Sequence, residues 1–120
     1  MTVELNHTIV PARDRWAAAR SLAEILGLPE PVAAGPFAAV PLANGVTLDF
    51  MNAAELTVQH YAFLIDEPTF DAVAARLAER GIPTFADPGH RDPGQNTLFG
   101  GRGLYFDSVD GHNLEVLTKT

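Results

Sequence analysis

The sequence predicts an α+β fold built from two copies of one module rich in strand, helix and strand, within a chain of 120 residues. Two observations predict it. A strand-then-helix pattern occurs twice, and each helix is stopped by Gly, an apolar residue and Pro: Gly27-Leu28-Pro29 and Gly81-Ile82-Pro83. Each copy then closes on a strand that carries a carboxylate between apolar neighbours, Leu48-Asp49-Phe50 and Leu114-Glu115-Val116. His7 lies 20 residues before Gly27 and His60 lies 21 before Gly81, so the copies share spacing as well as content. The expected division is one module at 1–55 and another at 56–120 of a single domain, which suits a chain of this length.

Leu5 to Val10 alternates apolar with polar residues and runs into Pro11, the pattern of a short strand. From Ala12 the period changes. Trp16, Ala19, Leu22, Ala23, Ile25 and Leu26 recur at three-to-four spacing, with Arg13, Asp14, Arg15, Arg20 and Glu24 opposite, which predicts an amphipathic helix of about 15 residues. Phe37–Leu42 and Val46–Met51 read as strands around Asn44-Gly45, a hairpin turn signal. A further short strand is placed in Ala53–Thr57, where the pattern is weakest. The second copy opens with a strand at His60–Ile65 whose two faces are both apolar after His60, so cover is expected on both sides. Its helix is predicted over Thr69–Arg80, with Thr69 as N-cap and Phe70, Val73, Ala74 and Leu77 inward. Leu104-Tyr105-Phe106 and Leu114–Leu117 follow as strands, separated by a turn at Asp110-Gly111. The extra length of the second copy lies in Ala86–Gly101, rich in Pro, Gly, Asp and Asn. A polar insertion of that size in a compact domain suggests a lid or rim. Two copies are too few for a solenoid, and two equivalent sheets about a local twofold is the economical arrangement.

Composition narrows the chemistry. There is no Cys, so disulfides, thiolate nucleophiles and thiolate metal ligands are excluded together, and a cytoplasmic location is the default expectation. Eight basic against 15 acidic residues give a net charge of −7, and the basic residues form no stripe that would neutralise phosphates; nucleic acid is disfavoured. No apolar run approaches the roughly 18–20 residues that span a bilayer, and the first residues do not read as a signal peptide. The acidity serves solubility, or attraction of a cationic small molecule.

The repeat makes His7 equivalent to His60 and Asp49 equivalent to Glu115. A lone His in a half-buried strand is more often a hydrogen-bonded core residue than a ligand, and Asp49 and Glu115 could be exposed strand residues. Recurrence of both in matching places favours the other reading. Two imidazoles and two carboxylates brought toward one point by a twofold could hold one divalent cation, and nitrogen and oxygen ligands without sulfur suit Fe(II), Mn(II), Ni(II) or Zn(II). Among the remaining candidates, His112 is expected at the surface. His90, with Arg91 and Asp92, is expected in a solvated loop. Arg102 is a clamp for an anionic substrate or a counter-charge to nearby acidic residues. Phe37, Met51, Phe63, Tyr105 and Phe106 are candidates to line a substrate cavity, with core packing the default for any one of them. Gly100-Gly101-Arg102-Gly103 lacks the strand-to-helix setting of a phosphate loop.

Three stretches carry a resemblance across the whole chain: Leu5-Asn6-His7-Thr8-Ile9, Gln59-His60-Tyr61-Ala62-Phe63, and Gly100 to Phe106 running into Asp110-Gly111-His112-Asn113-Leu114-Glu115. The pattern resembles the vicinal oxygen chelate superfamily, which includes glyoxalase I, extradiol ring-cleaving dioxygenases, fosfomycin-resistance transferases and bleomycin-resistance proteins. The resemblance implies a glyoxalase-like fold of two βαβββ modules whose curled, mixed sheets surround a cavity. It implies His7, His60 and Glu115 as metal ligands. Asp49 stands where glyoxalase I has a fourth, glutamate ligand; one methylene shorter, it is expected to act through water. Ser108-Val109 replaces the Asp-Pro usual before the Asp-Gly turn. The implied activity is a small metal-dependent enzyme acting on a small molecule that chelates the metal through neighbouring oxygens, with lyase or isomerase chemistry slightly ahead of ring-cleaving dioxygenase. The alternative is a metal-free protein of the bleomycin-resistance kind that sequesters a drug. The resemblance also implies a homodimer.

Overall fold

The computed structural model describes all 120 residues, which divide into two compact units, Met1–Thr57 and Val58–Thr120. The first unit runs β1 (His7–Ala12), α1 (Arg15–Leu26), β2 (Val32–Ala34), β3 (Phe37–Pro41) and β4 (Thr47–Asn52). Its sheet has the order β1-β4-β3-β2, with β1 parallel to β4 and the other pairs antiparallel. The second unit runs β5 (His60–Leu64), α2 (Glu67–Glu79), β6 (Gly103–Asp107) and β7 (Asn113–Leu117), in the order β5-β7-β6 with β5 parallel to β7. Both sheets are curled and neither is closed.

The register makes the repeat concrete. Ile9 pairs with Asp49 and Asp49 with Ala39; Ala62 pairs with Glu115 and Glu115 with Tyr105. Asp49 and Glu115 therefore hold the same place in the two ladders. Ala39 pairs onward with Val32 in β2, and Tyr105 pairs onward with Phe85 through an isolated bridge. The fourth strand of the second unit is thus reduced to two isolated bridges, Phe85 to Tyr105 and Asn96 to Gly103, because the chain leaves the ladder between them.

The helices show why the same local signals recur. Asp14 accepts the Trp16 and Ala17 amides at 3.1 and 3.2 Å and caps α1; Asp66 accepts the Thr69 amide at 2.9 Å and caps α2. Thr69 is therefore the capped residue and not the cap. Both helices end on a glycine of positive φ, Gly27 (73°) and Gly81 (67°). The residue after each donates back five positions, Leu28 to Ala23 and Ile82 to Leu77, at 2.8 and 2.9 Å. Ala18, Ala19, Leu22, Ala23, Ile25 and Leu26 are the buried residues of α1, and Phe70, Val73 and Leu77 those of α2. With Val10, Leu48, Phe50, Ala38 and Val40 in one unit and Phe63, Leu104, Phe106, Leu114 and Val116 in the other, they form the cores. Each large side chain buried this way contributes about 1.5–3 kcal/mol.

Some sequence expectations change. β1 continues through Pro11 to Ala12, because β1 is an edge strand where a missing amide donor is tolerated. The extra strand of the first unit is Val32–Ala34, and 53–57 forms none. The β5 strand is covered on one face only: Tyr61 and Phe63 turn inward, while His60, Ala62 and Leu64 are exposed, Leu64 at 64%. No helix is long and apolar enough to cross a membrane.

Candidate metal centre

The face of the second sheet away from its core is where the polar residues gather. Register places His60 beside Asn113 and Ala62 beside Glu115, then Tyr105 beside Glu115 and Asp107 beside Asn113. Alternation puts all six on the face opposite Phe63, Leu114 and Val116. Glu115 is only 8% exposed and Tyr105 7%. A buried carboxylate needs partners, and Glu115 has two. His60 Nε2 lies 3.1 Å from its Oε1, and the Tyr105 hydroxyl donates to it. Burial, the charge of Glu115 and that hydrogen bond all push the Tyr105 phenol above its ordinary pKa, so it stays a donor at neutral pH. The His60 and Tyr105 rings stack at 5.9 Å.

The other nitrogen of His60 decides what Nε2 can do. Nδ1 is 2.9 Å from the Asn113 carbonyl, an acceptor, so Nδ1 carries a proton. In the neutral ring Nε2 then has a lone pair that faces a carboxylate. Two acceptors 3.1 Å apart need a positive charge to hold them together, either a proton or a metal ion. Two ligands each about 2.1 Å from one cation and at right angles stand about 3 Å apart, so the pair fits a metal. A metal-binding histidine commonly donates its second nitrogen to a carbonyl, as His60 does.

His7 stands at the matching place in the first unit. Its Nδ1 is engaged too, 2.8 Å from Asn6 Oδ1, which leaves Nε2 as the outer nitrogen. Asp49 is half-buried on the same face as His7, without the phenol that Glu115 has, since Ala39 occupies that place. Met51 follows Asp49 on that face, and Phe37 precedes Ala39 there; both are half-buried. Within the second unit His60 and Glu115 are brought together, and within the first His7 and Asp49 share one face.

Arg102 is occupied. Its guanidinium meets Glu67 Oε1 at 2.8 Å and Asp71 Oδ1 at 2.9 Å and lies 4.4 Å over the Phe70 ring. The hydrogen bond from Arg102 is the main cause that lowers the Glu67 carboxyl below its ordinary pKa. Of the two readings of Arg102, this geometry matches the counter-charge. Close approach, and not phosphate, explains the neighbouring glycine: a Cβ on Gly103 would meet Asn96 Oδ1 at 2.8 Å.

Two histidines differ from expectation. His112 is buried, at 2% exposure, and not at the surface. Its Nδ1 accepts the Gln59 amide at 3.0 Å and its ring meets Tyr61 edge-on, so it fastens the start of β5 to β7. His90 is not a solvated loop residue. Its ring stacks on Phe85 at 4.5 Å and 10°, and Nε2 reaches Asn113 Oδ1 at 2.9 Å. The loop around it is tied down. Asp87 accepts the Arg91 and Asp92 amides, Ala86 donates to Asp92, and Asn96 Nδ2 donates to the Ala86 carbonyl. The amide of Asp92 is the main cause that lowers the Asp87 carboxyl. The missed signal was Phe85-Ala86-Asp87 followed by Asp92, but it is readable only with the pairing known.

Comparison with solved structures gives the setting. The chain is 54% identical to an oxidase named ChaP-H1, covering 99% of this chain and 98% of that one at a TM-score of 0.97. It is 52% identical to an oxidase named ChaP-H2, covering 100% and 96%, again at 0.97. The fosfomycin resistance protein FosX from Mesorhizobium loti is 26% identical over 100% of this chain and 95% of its own, at 0.71. No family model matches the chain, and no curated protein sequence does. With this likeness to oxidases, to a fosfomycin-resistance protein and to glyoxalase/dioxygenase structures, and with the paired mixed sheets that they share, the chain belongs to the vicinal oxygen chelate superfamily.

Proposed function

We propose that the chain is a metal-dependent enzyme of the oxidase type, acting on a small molecule that offers neighbouring oxygens to the metal. The observation that carries this is the His60–Glu115 pair, with Nδ1 of His60 committed to a carbonyl and Nε2 presented 3.1 Å from Oε1. The ligands proposed are His60, Glu115 and His7, with Asp49 acting through water. The support for His7 and Asp49 is their equivalence in the repeat and the matching use of Nδ1 by His7. The metal, of the Fe(II), Mn(II), Ni(II) or Zn(II) class, supplies Lewis acidity and, if redox-active, a path to oxygen. Tyr105 orients Glu115 by donating to it. Phe37 and Met51 are proposed as apolar contacts for the substrate, and a homodimer as the working form.

Sequence alone ranks lyase or isomerase chemistry slightly first. The names of the two relatives above 50% identity favour oxidative chemistry. The test is metal analysis of protein purified without chelator, followed by oxygen uptake with 1,2-dihydroxyaromatic probes after Fe(II) loading under anaerobic conditions. Stoichiometric metal that is lost in His60→Ala, with metal-dependent uptake, is the expected result. Metal binding with isomerase activity and no oxygen uptake would restore the lyase reading. Absence of metal in the wild type, with tight binding of a cationic drug to the acidic chain, would replace both by sequestration. Light scattering at micromolar concentration reads the dimer.

A further inference from the structure

The outer face of the second sheet changes character along its strands. Register arranges it in three rungs, each about 7 Å from the next because alternate residues share a face. The first holds Asp107, Asn113 and His60, the second Tyr105, Glu115 and Ala62, and the third Gly103, Leu117 and Leu64. The first rung is polar, and its Asp107 side chain is 58% exposed. The third offers no polar side chain of its own. A Cβ on Gly103 would fall on the Asn96 amide, which fills that place. Both polar atoms of that amide are engaged by the loop: Nδ2 donates to the Ala86 carbonyl and Oδ1 accepts the Leu98 amide. Leu117 is half-buried, and Leu64 at 64% is the one large apolar residue of this sheet left open to solvent. The His60–Glu115 pair lies diagonally across the first two rungs, so the apolar rung begins one step beyond it.

A single exposed leucine is ordinary. Two observations set this one apart. The apolar rung recurs in the first unit, where His7 pairs with Thr47, Ile9 with Asp49 and Pro11 with Met51, so the step beyond the carboxylate is again apolar. Its size also limits what can cover it. Ala62, Leu64 and Leu117 fall far short of the roughly 20–30 residues a side that a stable protein interface uses, and they match one side of a small molecule. We infer that Leu64 and Leu117 are specificity-determining residues that receive the apolar body of a substrate held by its neighbouring oxygens at the His60–Glu115 pair. The inference rests on the metal reading above and adds a substrate class: a molecule with paired oxygens at one end and an apolar extension at the other. The direction follows from the rungs. An apolar tail laid the opposite way would strip water from the Asp107 carboxylate and replace it with nothing. Contact on one side only covers about half of each methylene, so each added CH2 should tighten binding about twofold.

The test uses the full chain loaded with Zn(II), which does no redox chemistry. Calorimetry measures the binding of catechol and of 4-methyl-, 4-propyl- and 4-pentylcatechol. Wild type should gain about twofold in affinity per added methylene. Leu64→Ser, at an exposed position outside the core, should flatten that slope. Val109→Ser, exposed in the turn before β7, is the control and should leave the slope as it is. In methyl NMR of the wild type, the pentyl tail should shift the Leu64 and Leu117 signals. A flat series in wild type, a slope that survives Leu64→Ser, an equal loss in Val109→Ser, or methyl shifts that miss both leucines overturns the inference. If catechol binding is meanwhile lost in His60→Ala, the metal reading stands without it. No Zn(II) binding, or catechol binding unchanged in His60→Ala, overturns the metal reading itself.

Discussion

The two units repeat one ladder and differ in what stands around the carboxylate. Glu115 has a phenol on one side, an imidazole on the other, and a loop fastened above its neighbour Asn113. Asp49, at the same rung, has Ala39 where Glu115 has Tyr105, Ile9 where it has Ala62, and Val32 where the second unit has Phe85. Backbone architecture has been copied; the polar surroundings have not. A duplicated fold can therefore concentrate its chemistry in one copy while the other keeps the matching positions.

Variants break this contrast in graded ways. Glu115→Ala should abolish metal binding in an equilibrium-dialysis measurement, whereas Asp49→Ala should weaken it by no more than about tenfold, as expected for an outer partner. Equal losses would mean that the units contribute alike. Leu77→Ala, at a fully buried position, should cost about 2–5 kcal/mol in urea denaturation, and Leu22→Ala in α1 a similar amount. That pair tests whether the cores are as equivalent as the ladders. Tyr105→Phe removes the donor to Glu115 and should cost about 0.5–1.5 kcal/mol while lowering metal affinity; Ala39, its counterpart, has nothing to lose. The smallest effect is acid sensitivity. Glu67 and Asp66 have folded pKa values below their ordinary ones, from the Arg102 bond and the Thr69 contact respectively. Their stabilisation is present above the ordinary carboxylate pKa values of 4.5 and 3.8 and is lost as pH falls through the lowered folded values. Glu67→Gln should flatten the acid limb of a thermal-melting profile, a small change because both groups are exposed.

What could be read from the sequence was whatever depends on neighbours in the chain. Gly27 and Gly81, the amphipathic faces of both helices, the Asn44-Gly45 turn and the equivalence of Asp49 with Glu115 are all local spacing. What could not be read depends on long-range pairing. His112 is buried because its partner is Gln59, 53 positions away. His90 is fixed because Asn113 lies 23 positions on. Val32–Ala34 forms a strand only because β3 is there to pair with it, since three small apolar residues have no period of their own. Tyr105 was a candidate for the site, but its role beside Glu115 needed the β6–β7 register.

The single-residue bridge at Phe85 has a consequence for how such a chain can change over generations. The bridges at Phe85 and Asn96 both fall on β6, so the intervening segment leaves from and returns to one strand. Residues between those anchors can be lengthened, shortened or exchanged without shifting any rung of the β5-β7-β6 ladder. A library randomised across 88–95 with His90 kept would vary the loop while leaving the His60–Glu115 pair in place. One that randomised His90 as well would also lose the bond from the loop to the Asn113 side chain.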